Sequence, residues 1–178
     1  FTVGANGTID LSAYSGTWKF DGTGTSTWTD NTASGLNYGA ITIDGTSKVG
    51  QFAGSSPSRT FTTLTIGAED TIQAGSATVI ADTLANQGEL YFTDAGSLTA
   101  GTLNNQGSIF MGTGALNISG SAEMGSFYFG VAREIPNYSY DNLTLSDDSY
   151  GTFTVAGDLS ASGLFVDQAT LSLTGSDT

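Results

Sequence analysis

Residues 83–92 read TLANQGELYF, and residues 102–111 read TLNNQGSIFM. Leu84 matches Leu103, Gly88 matches Gly107, Leu90 matches Ile109 and Phe92 matches Met111, all at one spacing of 19 residues. A later stretch from Asp158, DLSASGLFVDQATLSLTG, follows the stretch from Thr102 with a single one-residue slip, at an offset close to three further repeats. Short apolar–polar–apolar triplets recur along the chain on both sides of this pair. They are Ile41-Thr42-Ile43, Leu64-Thr65-Ile66, Leu116-Asn117-Ile118, Leu143-Thr144-Leu145, Phe153-Thr154-Val155 and Leu171-Ser172-Leu173. Period-two alternation puts the outer two side chains on one face and the middle one on the other. Three triplets are preceded by an aromatic three residues upstream: Tyr38, Phe61 and Tyr140.

One such repeat cannot bury its apolar residues alone. A unit of 19–20 residues with two or three short strands, each closed by a turn, reads as one coil of a parallel β-solenoid. Stacked at ~4.8 Å, such coils pair their backbones and align like residues in columns, and about nine would make a rod roughly 40 Å long. The alternative is an antiparallel β-sandwich, which also suits strands and turns every 8–12 residues. The 19-residue self-similarity favours the solenoid. A single solenoid over 1–178 is therefore expected. Its parts are irregular coils at 1–60, regular coils at 61–125, a loop excursion at 126–141 and C-terminal coils at 142–178. Pro57, which cannot donate to a ladder, marks a second irregularity at Ser55–Arg59.

Composition narrows the chemistry. The chain has 17 Asp and Glu against 4 Lys and Arg, a net charge of −13, and neither Cys nor His. Imidazole and thiol catalysis are thereby excluded, as are the usual zinc, haem and iron–sulfur ligand sets. The acidity argues against nucleic acid and anionic membrane surfaces as partners, and no apolar run nears the roughly 20 residues of a membrane span. At 38% hydrophobic and 11% aromatic, the chain is nevertheless built to fold rather than to remain a disordered acidic tail.

The repeats resemble those of secreted right-handed β-helix proteins, specifically autotransporter passengers and filamentous-haemagglutinin-like adhesins. The resemblance is carried by LANQGELYF and LNNQGSIFM and by residues 140–175, YDNLTLSDDSYGTFTVAGDLSASGLFVDQATLSLTG, and covers most of residues 38–175. It implies an extracellular or cell-surface setting. It matches no catalytic motif and so assigns no catalytic residue.

Candidate sites follow from residue type and position. The densest aromatic region holds Tyr128, Tyr138, Tyr140 and Tyr150, whose rings suit sugar stacking or a partner contact; Tyr128, between two Phe in strand alternation, is expected to point outward. Asn6, Asn117, Asn137 and Asn142 each begin an Asn-x-Ser/Thr glycosylation sequence. Asn86-Gln87-Gly88 and Asn105-Gln106-Gly107 read as stacked turns, with Gly supplying positive φ and the amides a hydrogen-bonded ladder. Asp147 and Asp148, with Asp141 and Asp158 nearby, raise Ca²⁺ as the one ion to consider, but the repeated Gly-Gly-x-Gly-x-Asp consensus is absent. No cofactor is expected. The two ends, with Phe1, Val3, Ile9 and Leu11 at one and Leu171 and Leu173 at the other, are already in strand alternation without a polar cap. Uncapped coils invite pairing, so the ends are expected to self-associate into a filament or array.

The function this predicts is a non-enzymatic extracellular structural protein, a solenoid subunit of a surface fibre, sheath or adhesin. The alternatives are a carbohydrate-binding adhesive module and a polysaccharide lyase or hydrolase on a β-helix.

Overall fold

The computed structural model describes residues 2–3, 16–155 and 157–173. They form an all-β parallel solenoid of about eight turns with coils of about 20 residues. Sheet A has nine strands. In spatial order they are Thr2–Val3, Gly24–Asp30, Lys48–Ala53, Thr71–Gly75, Glu89–Phe92, Ser108–Met111, Ser126–Phe129, Ser139–Ser146 and Ser160–Asp167. Sheet B runs beside it through Thr17–Phe20, Ala40–Ile43, Ser58–Ile66, Thr78–Asn86, Ser97–Asn105 and Leu116–Ile118, with the two-residue strands Leu36–Asn37 and Ala122–Glu123 pairing alongside. A third sheet pairs Thr152–Val155 with Thr170–Leu173. Each strand pairs in parallel with its counterpart one coil away, as Ser58–Ile66 does with Thr78–Asn86. Sandwich pairing is thereby excluded.

The alternating triplets become inward columns. On sheet A, Ile72, Leu90, Ile109, Phe127 and Leu143 align through successive registers, and all five are buried. On sheet B, Ile41, Leu64, Leu84 and Leu103 do the same. Each fully buried side chain of this size contributes about 1.5–3 kcal/mol. The aromatic three residues before a triplet also finds its reason here. In Ser58–Ile66 both Phe61 and Leu64 are buried while Thr62 is exposed. An odd separation can bury both residues only if the strand bends between them. The bend falls at Thr62, which the register passes over, Phe61 pairing with Ala81 and Thr63 with Thr83.

Coil length varies where the repeat is weak. Thr27 and Gln51 are one rung apart at a separation of 24 residues, Asn86 and Asn105 at 19 and Ser139 and Ser160 at 21. The longer early coils account for about eight turns in place of nine. The excursion expected at 126–141 is shorter than that. Ser126–Phe129 stays in the ladder between Ser108–Met111 and Asn142–Leu145, because Phe127 and Phe129 fill core columns. What leaves the rung, between Phe129 and Ser139, is tied back by Arg133, which donates to the carbonyls of Gly112 and Gly114 and lies 5.2 Å over the Phe129 ring.

The paired Asn-Gln-Gly turns do form a ladder, but glycine serves it differently from the expectation. Asn86 Nδ2 donates to Asn105 Oδ1 at 2.8 Å, and Asn105 Nδ2 to the Met124 carbonyl at 2.7 Å, both side chains fully buried. Gly88 and Gly107 are not in the positive-φ region. They are required because a Cβ at either would lie 2.1 Å from a carbonyl oxygen of the preceding coil. Stacking distance, rather than turn handedness, selects glycine at these two positions. We expect Gly107→Ala to lower stability by about 1–3 kcal/mol, the range for overpacking. Urea unfolding followed by circular dichroism measures this; an unchanged midpoint contradicts the close approach.

Candidate functional site

The most polar part of the interior sits between the first coils. Asp30 is fully buried, and so is Arg59. Asp30 Oδ1 accepts from the Thr32 amide at 2.8 Å and the Thr32 hydroxyl at 2.7 Å, and Oδ2 from the Tyr38 hydroxyl at 3.2 Å. The Arg59 guanidinium approaches Oδ2 to 4.0 Å and donates to the carbonyls of Ser56 at 2.9 Å and Ala53 at 2.7 Å. Burial pushes the Asp30 carboxyl up, but the Thr32 hydrogen bonds, Arg59 and Tyr38 outweigh it and hold the group below its ordinary value. Tyr38 is driven well above its usual range, first by burial and then by Asp30. Each alternates with a buried aromatic, Arg59 with Phe61 and Asp30 with Trp28, but nothing local in the sequence shows that the two meet across a coil. The pair braces the turn at 54–57, which is shorter than the irregularity expected at Ser55–Arg59 because Ser58 and Arg59 already pair with Thr78 and Val79.

The four tyrosines do not converge on one surface. Tyr128 faces outward as expected, its ring 4.4 Å from Phe110, which in turn lies 4.0 Å from Tyr91. Tyr138 is half-buried, and its hydroxyl oxygen accepts the Ile118 amide at 2.9 Å. Tyr140 is corrected from a surface contact to a core residue. It is 2% exposed, packed edge-on against Phe127 and Phe129, and its hydroxyl donates to the Pro136 carbonyl. Pairing with Ala161 on one side, it fills an inward position that a polar contact residue would leave empty. Tyr150 is 73% exposed at a turn, with φ of 57°.

Asn117, Asn137 and Asn142 are exposed, and Asn6 lies outside the described residues. Asp147 closes a turn, accepting the amides of Ala132 at 2.7 Å and Ser149 at 2.8 Å, and these hydrogen bonds, Ala132 first, hold its carboxyl low. No group of three or more His, Cys, Asp or Glu side chains placed to hold a metal occurs among the described residues. Of the end residues, Phe1, Ile9 and Leu11 lie outside the described residues, while Val3 belongs to a strand paired with Thr29–Asp30.

The opposite margin is the clearest open surface. Leu164 continues the Phe127–Leu143 column and Val166 the Phe129–Leu145 column, while Leu171 and Leu173 continue Phe153 and Val155. Their predecessors are buried, yet Leu164 is 48% exposed, Val166 38% and Leu173 65%. The core columns run on into a rung that nothing covers among the described residues. Comparisons with family models, with curated proteins and with solved structures return no match.

A depressed carboxyl contributes stability above its unfolded value, near 4, and loses it as pH falls through the lower folded value. Asp30→Asn also strands a buried guanidinium, so we expect it to cost about 3 kcal/mol or more at pH 7 and clearly less near pH 3. Urea midpoints of wild type and variant at both pH values test this; a gap that does not change with pH contradicts the assignment.

Proposed function

We propose that the chain is a non-enzymatic structural protein of the cell exterior, a rigid solenoid that forms part of a surface fibre, sheath or adhesin and extends end to end. The observation that carries this reading is the open rung at Ser160–Leu173. Its core-column side chains are those that a further rung would bury, and Ser160–Asp167, the last strand of sheet A among the described residues, presents the backbone edge that a further strand would join. The occupant we assign is a second copy of the chain. At the other margin of the described residues, Thr2–Val3 and Thr17–Phe20 end sheets A and B, so the two margins differ and their contact is head-to-tail. Such contact does not close on itself and builds a filament.

The acidic residues support a structural reading too. Asp30, Asp70 and Asp147 are spent on backbone amides, Asp70 accepting those of Gly45 and Lys48 at 2.8 Å each. The extracellular setting rests on the resemblance of the repeats to secreted β-helix adhesins.

Charge repulsion between copies at −13 is screened by salt, so concentrated protein in raised salt or divalent cations should lengthen into rods visible by negative-stain microscopy. Leu164→Asp and Leu173→Asp should abolish the rods while leaving the β-sheet spectrum intact, whereas Thr99→Asp on the outer face should not. Monomers under every condition would sink the proposal.

A further inference from the structure

One outward row on sheet A changes chemistry half way along the rod. Thr27, Gln51, Gln73, Tyr91, Phe110 and Tyr128 occupy the same outward position in successive coils. From Tyr91 onward the rings stack face to face, Tyr91 on Phe110 with 3° between planes and Phe110 on Tyr128 with 13°. Each ring covers its neighbour, so the stack offers free ring faces only at its two ends. At the Tyr91 end the next residue in the row is Gln73, and there a groove of about 350 Å³ opens, lined by Gln51, Phe52, Gln73, Gly75, Tyr91 and Thr93.

The groove has a backbone cause. The register between Thr71–Gly75 and Glu89–Phe92 slips after Tyr91, so that Phe92 pairs with Gly75. The slip is a bulge, which bends a strand and re-aims its side chains. Gly75, at φ 63°, has open space where a Cβ would stand. A side chain is thus missing beside the step from Gln73 to Tyr91, two residues along the strand from Gln73.

We propose that this groove binds a neutral oligosaccharide, with the free face of Tyr91 as the platform for one pyranose ring and Gln73, Gln51 and Thr93 as hydrogen-bonding partners for its hydroxyls. A pyranose presents a flat C–H face and a rim of hydroxyls that both donate and accept. An aromatic face matches the first. Primary amides, each with two donors and an acceptor, match the second, and Thr93 adds a hydroxyl. Gln51 and Gln73 stand on adjacent strands about 4.8 Å apart, a ladder for successive hydroxyls along the rod. Among the described residues, no charged side chain lines the groove. The Glu89 carboxylate accepts from the Tyr91 hydroxyl, and together with the net charge of −13 it disfavours an acidic glycan. The volume is at the small end of ligand clefts, roughly 300–1,000 Å³, which suits a short segment of a longer chain. The site lies on the flank of the rod and is independent of end-to-end assembly.

Cellohexaose, maltohexaose, xylohexaose and chitohexaose, titrated separately into the protein and followed by calorimetry and tyrosine fluorescence, test the proposal. Saturable binding of at least one is expected. Tyr91→Ala should weaken it about tenfold or more, while Tyr91→Phe and Tyr128→Ala should retain it. Gly75→Asn, a residue that tolerates positive φ, should block the groove without unfolding the chain, which keeps the test decisive if Tyr91→Ala proves unstable. Absence of saturable binding to all four sugars overturns the assignment, as does binding that survives both Tyr91→Ala and Gly75→Asn. Binding abolished by Tyr128→Ala but not by Gly75→Asn overturns it too, since that would place the sugar at the other end of the stack.

Discussion

The whole molecule depends on parallel backbone pairing between one coil and the next, held in register over successive rungs. At a strand spacing near 4.8 Å, every side chain faces its counterpart in the neighbouring coil more closely than almost anything in its own. Columns of like residues are the consequence. Leu84 above Leu64 and below Leu103 is a packing solution that repeats because the geometry repeats. The same spacing decides where side chains must be absent. At Gly88 and Gly107 the carbonyl of the coil before occupies the volume of a Cβ, so glycine there records the stacking distance itself.

Stacking also creates a polar problem and determines its solution. Where a strand ends in a turn, amides and carbonyls leave the ladder and need other partners. The chain supplies these from side chains that reach across rungs. Asp70 takes two amides of the preceding coil, Asn105 gives to two carbonyls of the following one, and Asp147 takes the amide of Ala132 from the excursion. Asp30 and Arg59 extend the device to a charged pair. Three of the 17 acidic residues, Asp30, Asp70 and Asp147, are thus used on backbone amides.

These features differ in how far the sequence reveals them. The coil period and the inward faces were legible because alternation is a local property: Leu64-Thr65-Ile66 and Leu143-Thr144-Leu145 each declare their own orientation. Tyr128 was legible for the same reason. The burial of Tyr140 was not, because its inward position follows from a bend in its strand and from Phe127 and Phe129 on another rung. The length of the early coils, the pairing of Asp30 with Arg59 and the slip at Gly75 all depend on which residues meet across a coil. Where the repeat is imperfect, nothing local encodes that meeting. The excursion was overdrawn by the same logic, since Ser126–Phe129 looks like part of an irregular stretch until its partners Ser108–Met111 are known.

A stacked rod separates two kinds of surface. In the filament we propose, growth would follow the column axis, where Leu164, Val166 and Leu173 stand part exposed. The groove we propose as a sugar site faces perpendicular to it, where outward rows such as Gln51, Gln73 and Tyr91 are displayed at the strand spacing. Covering the open rung would restore the inward columns without touching the rows on the flanks. Phe165 links the two, because it lies in the outward row that runs through Tyr128 and Thr144 on the rung that is open. A rung added there would continue that row across the junction, so a filament would carry its flank chemistry at a regular interval along its length. In such a filament, lengthening the rod and multiplying its lateral grooves would be one event, and weak binding at each groove would gain from the repetition.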